Sequence, residues 1–486
     1  MPTSKPDPNS QLNTQHSKLE SRSFRFLLAC CKAEPTDEDL AFIDDFLRRS
    51  TPETRDLTAF AYRHGVLPLV YKRLKAVVAS RKSQVASSWE GWRAEGGERR
   101  AESGERTESE KRKAESQGAS AESGKPGAND KRRSANDEAR TTNDERRTIN
   151  DYPLEQLLAD LKSAYSQIVH RNMLLSAELL HLAAFARENG LAFLPFKGPV
   201  LAQAAYGDLT LRQFGDLDVL IACDEFDSWS LFLRGRGYAP HFPVERYRGK
   251  RRVLCELNND VPYLAPSRGL MVELHWEFFR KLAIPTAPFR PWQDPESVRI
   301  NGREIPTLSH ETHLLYVALH GAKHIYERLI WLVDLDRMVR SRPDTDWELL
   351  LERARELGAQ RLLLLGLSLA HDWLDTPLPG RITALFPGAR LEEARSFIAG
   401  EFARPVPTPE ESLVKFRLLL SLRDDTRTRL RMLGEFLFRP GINERRTIVL
   451  PDRLFGLYWL IRPFGMAGRF LFCRLLKACG KERDQE

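Results

Sequence analysis

Residues 214–221 read FGDLDVLI, and this short stretch decides the fold class of the chain. Asp216 and Asp218 lie two residues apart in an otherwise apolar run, which predicts a β-strand. Because side chains alternate along a strand, both carboxylates project from one face of the sheet. Two adjacent buried acids are unfavourable without a cation, and Mg²⁺ takes oxygen ligands that it commonly shares with phosphates. The run therefore predicts metal-assisted chemistry on a nucleotide.

The segments around this strand alternate between helical and extended patterns. The predicted elements are a helix at 154–189, a strand at 191–195, a helix at 199–206, a strand at 216–221, a helix at 225–236 and an extended piece from Gly237. Residues 250–276 follow as two strands, VLCEL and LMVELHW, around a turn that contains Pro266 and Gly269. This order predicts a compact unit of strands and helices at about residues 190–280.

The pattern on either side of this unit is helical, with one sharp change in composition. Residues 78–150 contain no Leu, Phe, Met, Tyr or Cys, so they cannot bury enough apolar surface to offset their ordering entropy. We divide the chain into a disordered tail (1–20), an N-terminal helical region (21–77), a disordered low-complexity insertion (78–150), an α/β domain with its leading helix (151–300), a helical domain (301–380) and a C-terminal helical region (381–486).

Composition limits the class of partner and the compartment. The chain has 486 residues, 42% hydrophobic, and a net charge of +7, which suits phosphate-bearing ligands. We identify no dedicated nucleic-acid-binding module. Six scattered cysteines without metal spacing predict reduced thiols, and the polar N-terminus has no apolar signal core. These features predict a cytoplasmic protein.

The C-terminal segment, residues 450–481, is apolar, aromatic and basic. Such a segment can lie on a membrane surface. It can equally form terminal helices that dock on the helical domain, because basic amphipathic patterns are common on packed helices. We favour docked helices and keep a weak membrane-surface contact as the alternative.

A third acid fits the same face of the predicted sheet. Glu273 lies among apolar residues in the predicted strand LMVELHW, and His275 shares its face two residues later. Taken alone, Glu273 is more simply an exposed residue on an edge strand. Together with the Asp pair it completes three carboxylates, the set that two-metal nucleotidyl transfer needs. We therefore predict Asp216, Asp218 and Glu273 as catalytic residues and as ligands of Mg²⁺ or Mn²⁺.

Groups that bind phosphate are expected where strand turns to helix. Lys197 and Gly198 lie at such a turn, where glycine permits close backbone approach and a helix N-terminus favours anions. Lys197 supplies a point charge, and Arg212 lies four residues before the first acid. We predict that Lys197, Gly198, Arg212, Gly215 and His275 bind the nucleotide.

These motifs in this order resemble the poorly characterised nucleotidyltransferase-like family of the DNA polymerase β superfamily. The resemblance rests on residues 194–221 and on VELHW at 272–276, and it extends to residues 320–338 and 64–74. It implies a minimal nucleotidyltransferase fold of α+β class, a small mixed sheet with helices flanked by helical regions. It also implies Asp216, Asp218 and Glu273 as the metal ligands.

The helical pattern that follows residue 309 contains His313, His320 and His324. His320 and His324 lie four residues apart on one helical face, with His313 two turns earlier. No His-Glu-x-x-His pattern or cysteine set accompanies them, so packing roles are more frequent for such residues than zinc binding. A second interpretation places His320, Lys323 and His324 on the wall of the nucleotide cleft.

The sequence thus favours an enzyme that transfers a nucleoside monophosphate from an NTP to an unidentified hydroxyl on a small molecule, a sugar or a protein. Two alternatives remain open. The same fold could bind a nucleotide without catalysis, as a sensor or scaffold, or the chain could act at a membrane surface through its C-terminal region.

Overall fold

The structure is a computed structural model that describes residues 22–49, 53–81, 129–244, 251–279, 283–402, 411–440 and 456–465, together with residues 450 and 454. Its strands are β1 (Leu194–Pro195), β2 (Leu217–Leu220), β3 (Ala239–Pro240), β4 (Asp260–Ala265), β5 (Leu270–His275), β6 (Glu296–Ile300) and β7 (Arg303–Thr307).

The helices of the N-terminal half are α1 (22–31), α2 (Asp37–Arg49), α3 (Glu53–Arg63), α4 (67–81), α5 (Asn129–Asn189), α6 (Pro199–Leu201), α7 (Phe226–Gly235) and α8 (Arg251–Leu257). Helix α6 continues as a π-helical segment, Ala202–Tyr206. The later helices are α9 (His310–Lys323), α10 (Ile330–Ser341), α11 (Trp347–Glu356), α12 (Gln360–Leu374), α13 (Gly380–Thr383), α14 (Ala389–Glu401), α15 (Glu411–Ser421), α16 (Thr426–Phe438) and α17 (457–465). Short 3₁₀ turns lie at Cys223–Glu225 and Ala287–Phe289.

Some predictions fall on residues outside these ranges. The N-terminal tail, residues 82–128 of the insertion and residues 466–486 lie outside the described residues. Residues 129–150, which the sequence assigned to the disordered insertion, form the first part of α5. Their Ala, Glu and Arg have high helix propensity, so a helix can extend through them without an apolar face. The division into domains stays a prediction.

The main sheet has the order β1-β2-β5-β4-β3. Strands β2 and β5 run parallel and place Asp218 opposite Glu273, whereas the other neighbouring pairs are antiparallel. Strands β6 and β7 form a separate two-stranded sheet. This small mixed sheet among many helices confirms the predicted α+β class.

One predicted strand is wrong. VLCEL lies in helix α8, and the antiparallel neighbour of β5 is β4 instead. A five-residue apolar run is compatible with either a strand or a helix. Here the indole Nε1 of Trp276 donates to the carbonyl oxygens of Cys255 and Asn258, at 3.3 and 2.9 Å, and so satisfies carbonyls that a helix end leaves free.

Two hydrophobic cores meet along the sheet. One contains Leu217 and Val219 of β2 with the C-terminal part of α5 and helix α7. The other contains the helical regions before and after the sheet, and Leu220 of the same strand belongs to it. All four side chains of β2 are therefore buried, and Asp218 shares its face of the strand with Leu220.

None of the described helices is long and apolar enough to cross a membrane. The membrane-surface contact predicted for the C-terminal region is a separate matter and stays a prediction.

The buried histidines predict how stability depends on pH. Burial lowers the pKa of His313 to about 4 from its ordinary 6.5, while its Nε2–H donates to the carbonyl of Phe196 at 2.8 Å. The folded state thus binds fewer protons than the unfolded state between these values. This contribution to the free energy of unfolding is complete above pH 6.5 and is lost, up to about 3 kcal/mol, as the pH falls towards 4.

We expect His313→Gln, which keeps an N–H donor but does not titrate, to lose less unfolding free energy between pH 6.5 and pH 4 than the wild type. Urea unfolding at a series of pH values measures this. His181→Gln, on the exposed side of α5, is the control and should retain the wild-type slope. An unchanged slope in His313→Gln would contradict the assignment.

Candidate functional site

The candidate site is built around the fully buried carboxylate of Asp218. Lys197 Nζ donates to its Oδ1 at 2.7 Å, and His275 Nε2 lies 3.1 Å from the same oxygen. His275 Nε2 is also 3.3 Å from Glu273 Oε2. The parallel register of β2 and β5 accounts for this meeting, because it aligns Asp218 with Glu273 on one face.

Opposite charges decide the ionisation of this cluster. Burial opposes a charge on Asp218, but Lys197 and His275 outweigh it and hold the pKa of the carboxyl well below its ordinary value. Burial likewise opposes a charge on His275, but its bonds to Asp218 and Glu273 raise its pKa to about 9. At neutral pH an ammonium and an imidazolium therefore neutralise the buried acids.

Asp216 lies just before β2 and lines the cleft described below. Burial and the neighbouring charge of Asp218 raise the pKa of Asp216 to about 6, against a lowering by Lys197. Two carboxylates this close repel one another, so a compensating cation near both would stabilise the ionised pair. Asp216 is thus the acid of the pair that faces the cleft.

The Lys197-Gly198 turn fits closely against the backbone of this acid pair. The Phe196 N–H donates to the carbonyl of Asp218 at 3.2 Å, which fixes the turn beside β2. Gly198 has φ +58°, and a Cβ built there would lie 3.1 Å from the carbonyl oxygen of Asp216. A glycine is therefore required both by conformation and by space. Pro199 then begins helix α6, as the sequence predicted.

A cleft of about 800 Å³ opens beside Lys197 and Asp216. Its volume is in the range of ligand-binding pockets. The charged and aromatic residues that line it are Tyr62, His170, Arg171, Lys197, Arg212, Phe214, Asp216, Arg268, Tyr316, His320, Arg328, Trp331 and Asp334. Five of these are Lys or Arg and two are Asp, and because Lys197, Arg212 and Arg268 already pair with acids, the wall keeps only a small positive excess for an anionic ligand.

Of the residues predicted to bind the nucleotide, Lys197, Arg212 and Gly215 line this cleft in the described chain, whereas Gly198 and His275 do not. The Arg212 guanidinium is already bound, because Nε and Nη2 donate to the two carboxylate oxygens of Asp334 at 2.7 and 2.8 Å. Gly215 accepts a hydrogen bond from Arg171 through its carbonyl. The nucleotide-binding roles of these residues stay predictions.

Of the three residues predicted to form one wall of the cleft, His320, Lys323 and His324, only one is found there. His320 lines the cleft, whereas Lys323 and His324 are not among its lining residues in the described part of the chain. Burial lowers the pKa of His320 well below its ordinary value, so its imidazole is neutral. His324 stacks on the indole of Trp331, with ring centres 4.8 Å apart. His313 bonds to backbone, as a packing histidine does.

Comparison with known proteins identifies the segment that contains this geometry. Residues 142–375 match the model of a family described as an uncharacterised nucleotidyltransferase. This segment belongs to that nucleotidyltransferase family. The match confirms the family predicted from the motifs, and it includes residues 320–338 but not the predicted extension at residues 64–74.

A crystal structure of an antigenic nucleotidyltransferase-like protein from Paracoccidioides brasiliensis is similar to this chain at 16% identity, over 46% of this chain and 97% of the other, with a TM-score of 0.27. A search of curated proteins finds no match.

The nucleotidyltransferase segment contains donor atoms that fit a divalent cation. Asp218, Glu273 and His275 each offer one ligand atom, and these atoms lie within 4.8 Å of one another. Among the described residues, nothing donates to the buried Oδ2 of Asp218, so this oxygen is available to a cation. Asp216, the remaining predicted ligand, does not belong to this close trio. The two carboxylates suit Mn²⁺ or Mg²⁺, and His275 can join them only after it loses the proton on Nε2.

Sequence reasoning missed several residues of the site. Arg171, Arg268, Arg328 and Tyr62 line the cleft, yet they lie in segments far apart in the chain and without a motif. The cysteines also differ from expectation, because Cys223 and Cys255 form a disulfide, whereas reduced thiols were predicted. Cys30 and Cys31 are buried and free. A separation of 32 residues gave no signal for the pairing.

Two glycines provide a matched test of the turn. Gly198 and Gly207 both have positive φ, +58° and +65°, but only Gly198 has a neighbour within 4 Å of an added Cβ. Both alanine variants should suffer backbone strain. We expect Gly198→Ala to lose about 1–3 kcal/mol more unfolding free energy than Gly207→Ala, because the Asp216 carbonyl must move. Equal losses in chemical denaturation would contradict the close fit.

Proposed function

We propose that this protein is a metal-dependent nucleotidyltransferase that moves a nucleoside monophosphate from an NTP to a hydroxyl group of an unidentified acceptor, which is a small molecule, a sugar or a protein. The observation that carries this proposal is the buried Asp218 carboxylate, which has a free oxygen and lies beside Glu273, directly behind the cleft residues Lys197 and Asp216. Membership of the segment at residues 142–375 in a nucleotidyltransferase family supports the reaction class.

Asp218 and Glu273 would hold a divalent cation, with its ligands completed by Asp216, or by His275 after loss of the Nε2 proton. When bound, such a cation neutralises phosphate charge and orients the attacking and leaving oxygens. Lys197 and Arg212 lie along the cleft wall and would orient the phosphates and stabilise the leaving pyrophosphate. Asp216 is the carboxylate best placed to accept the proton of the acceptor hydroxyl, because it faces the cleft.

The acceptor would enter along the helical walls of the cleft. Helix α5 contributes Gln167 and Arg171, and the N-terminal helical region contributes Tyr62. Tyr62 and Gln167 also line a second, open groove of about 700 Å³ between α3 and α5. A continuous surface of this kind has room for an acceptor beside the nucleotide. The catalytic contribution would come mainly from positioning and charge neutralisation.

One observation favours a second candidate, a non-catalytic nucleotide-binding protein or scaffold. Lys197 and His275 neutralise Asp218 without any metal, as they would in a site that binds only a ligand. The presence of Asp216 beside the Asp218–Glu273 pair favours catalysis, since a binding-only site has no need of three acids. For the proposed enzyme, a cytoplasmic location and the use of Mg²⁺ as the cation are likewise proposals.

Transfer of label tests the proposal directly. Purified protein with Mg²⁺ or Mn²⁺ is incubated with each α-labelled NTP and with a cell extract separated into protein, RNA and small-metabolite fractions. We expect label in one fraction with the wild type, and at least a thousandfold less with Asp216→Asn/Asp218→Asn, because both acids act on the transition state. Asp336→Asn, a buried acid outside the cleft, is the control for a nonspecific effect of losing a buried charge.

If the label stays in the NTP with every base and every acceptor fraction, the proposed transferase activity is contradicted. Nucleotide binding without transfer would then support the scaffold. Label that persists in the double variant would show that a contaminating enzyme is responsible.

Metal affinity tests the part that Lys197 plays. Lys197 Nζ lies 2.7 Å from Asp218 Oδ1, so its charge repels a cation that binds the free Oδ2 of the same carboxylate. We expect Lys197→Gln to bind Mn²⁺ on the order of tenfold more tightly than the wild type without nucleotide, since one repelling charge is removed. Its affinity for an NTP should fall, because the same charge attracts phosphate.

Electron paramagnetic resonance of free Mn²⁺ provides the readout, which is independent of activity. Arg171→Gln removes a charge from the same cleft without touching Asp218, and it should leave the affinity for Mn²⁺ nearly unchanged. Weaker metal binding by Lys197→Gln would contradict this repulsion.

A further inference from the structure

Asp334, on helix α10, has contacts that reach into the nucleotidyltransferase cleft from the helical region. Both of its carboxylate oxygens accept hydrogen bonds from Arg212, and the pair is almost completely buried. Both residues also line the cleft. A bidentate pair fixes the plane of the guanidinium, so Asp334 determines where the remaining nitrogen of Arg212 points.

The same carboxylate binds a second element of the site. Tyr206 donates its hydroxyl proton to Asp334 Oδ1 at 2.7 Å. Tyr206 is the last residue of the π-helical segment that continues α6, and α6 begins directly after Lys197-Gly198. Asp334 therefore contacts the far end of the short helix that begins at the lysine turn.

The loop between these contacts is held from the opposite wall. Asn172, buried on α5, donates from Nδ2 to the carbonyl oxygens of Leu209 and Arg212 at 2.7 and 2.8 Å. The backbone of the loop is thus fixed by α5 and the side chain of Arg212 by α10. Each of these helices also forms part of the cleft wall.

We infer that Asp334 is a positioning residue for nucleotide binding, which holds the Arg212 guanidinium in the orientation that meets the phosphates of the NTP. The inference rests on the proposed function. If Asp334 has this role, helix α10 contributes to the phosphate-binding site, although Asp334 lies more than 100 residues after the pair Asp216 and Asp218 in the chain.

Asp336 offers a matched comparison on the same helix. It is also buried and arginine-bound, through Arg337 and Arg340, and it accepts a hydrogen bond from Thr376. Two residues along a helix turn the side chain by about 200°. Asp336 accordingly does not line the cleft in the described chain. Loss of the Asp334 charge leaves the buried Arg212 unpaired, and loss of the Asp336 charge leaves two partly buried arginines with backbone partners only, so both variants should destabilise the fold.

The experiment measures the dissociation constant of a non-hydrolysable α,β-methylene NTP with Mg²⁺ by calorimetry, with each of the four bases. We expect Arg212→Met and Asp334→Asn each to weaken binding about tenfold to a hundredfold, the effect of losing one bond to a charged group. The double variant should be no weaker than either single variant, because the two residues act as a unit. Asp336→Asn should bind as the wild type does.

If Asp334→Asn binds like the wild type while Arg212→Met is impaired, the inference is overturned and the proposed function stands. If Asp336→Asn is impaired as much as Asp334→Asn, the effect is general destabilisation and the inference is again overturned. If the wild type binds none of the four analogues, the proposed function fails and the inference with it.

A loss of stability in the single variants could obscure their effect on nucleotide binding. Two further variants of the protein avoid this problem. Arg212→Met/Asp334→Leu replaces the buried pair by apolar side chains of similar size, a change that proteins commonly tolerate. It should fold and still lose nucleotide affinity to the extent of Arg212→Met alone. Tyr206→Phe removes only one hydrogen bond from Asp334 and should weaken binding a few-fold. Wild-type affinity in Tyr206→Phe and in the apolar pair would overturn the inference.

Discussion

The buried negative charge of Asp218 is the constraint on which the rest of the site depends. An isolated carboxylate in this position would be protonated or would destabilise the sheet. Its charge persists because Lys197 and His275 lie within 3.1 Å of the same oxygen. These two cations come from the turn after β1 and from β5, so both neighbours of β2 must keep their register for the charge to be balanced. Strand pairing and electrostatics therefore support one another here.

The second constraint comes from the helices that follow the sheet. Helix α9 supplies His313, which bonds to the carbonyl of Phe196 immediately before the lysine turn. Helix α10 supplies Asp334, which binds Arg212. The predicted boundary near residue 300 thus separates two regions that share a single cleft, and the family match at residues 142–375 likewise extends through both regions. Changes in the helical region are expected to affect the chemistry as well as the stability.

Local patterns in the sequence predicted much of the fold and part of the candidate site. The alternation in residues 214–221 predicted β2, and the acid pair on one face led to Glu273 and His275 on β5. The five-residue run VLCEL was ambiguous, since the bonds from Trp276 that favour a helix are tertiary. Strand β4 was missed because it contains Pro262, which is uncommon inside a sheet; it is tolerated where β4 extends beyond the two paired residues of β3. Pairs of distant residues, such as Arg212 with Asp334, leave no local pattern to find.

The internal neutralisation of Asp218 has a consequence for the order of binding. Because Lys197 and His275 already balance the buried acids, the sheet does not require a metal ion in order to fold. In the proposed site, the Lys197 ammonium and the His275 imidazolium on one oxygen of Asp218 repel a cation that enters alone and binds the other oxygen. An NTP that arrives with the cation gives Lys197 a phosphate to bind in exchange. Affinity for the cation and for the nucleotide are then coupled through one lysine, and by linkage each ligand strengthens the binding of the other by the same factor. On the proposed function, such a site is stable when empty and binds its metal ion together with the NTP.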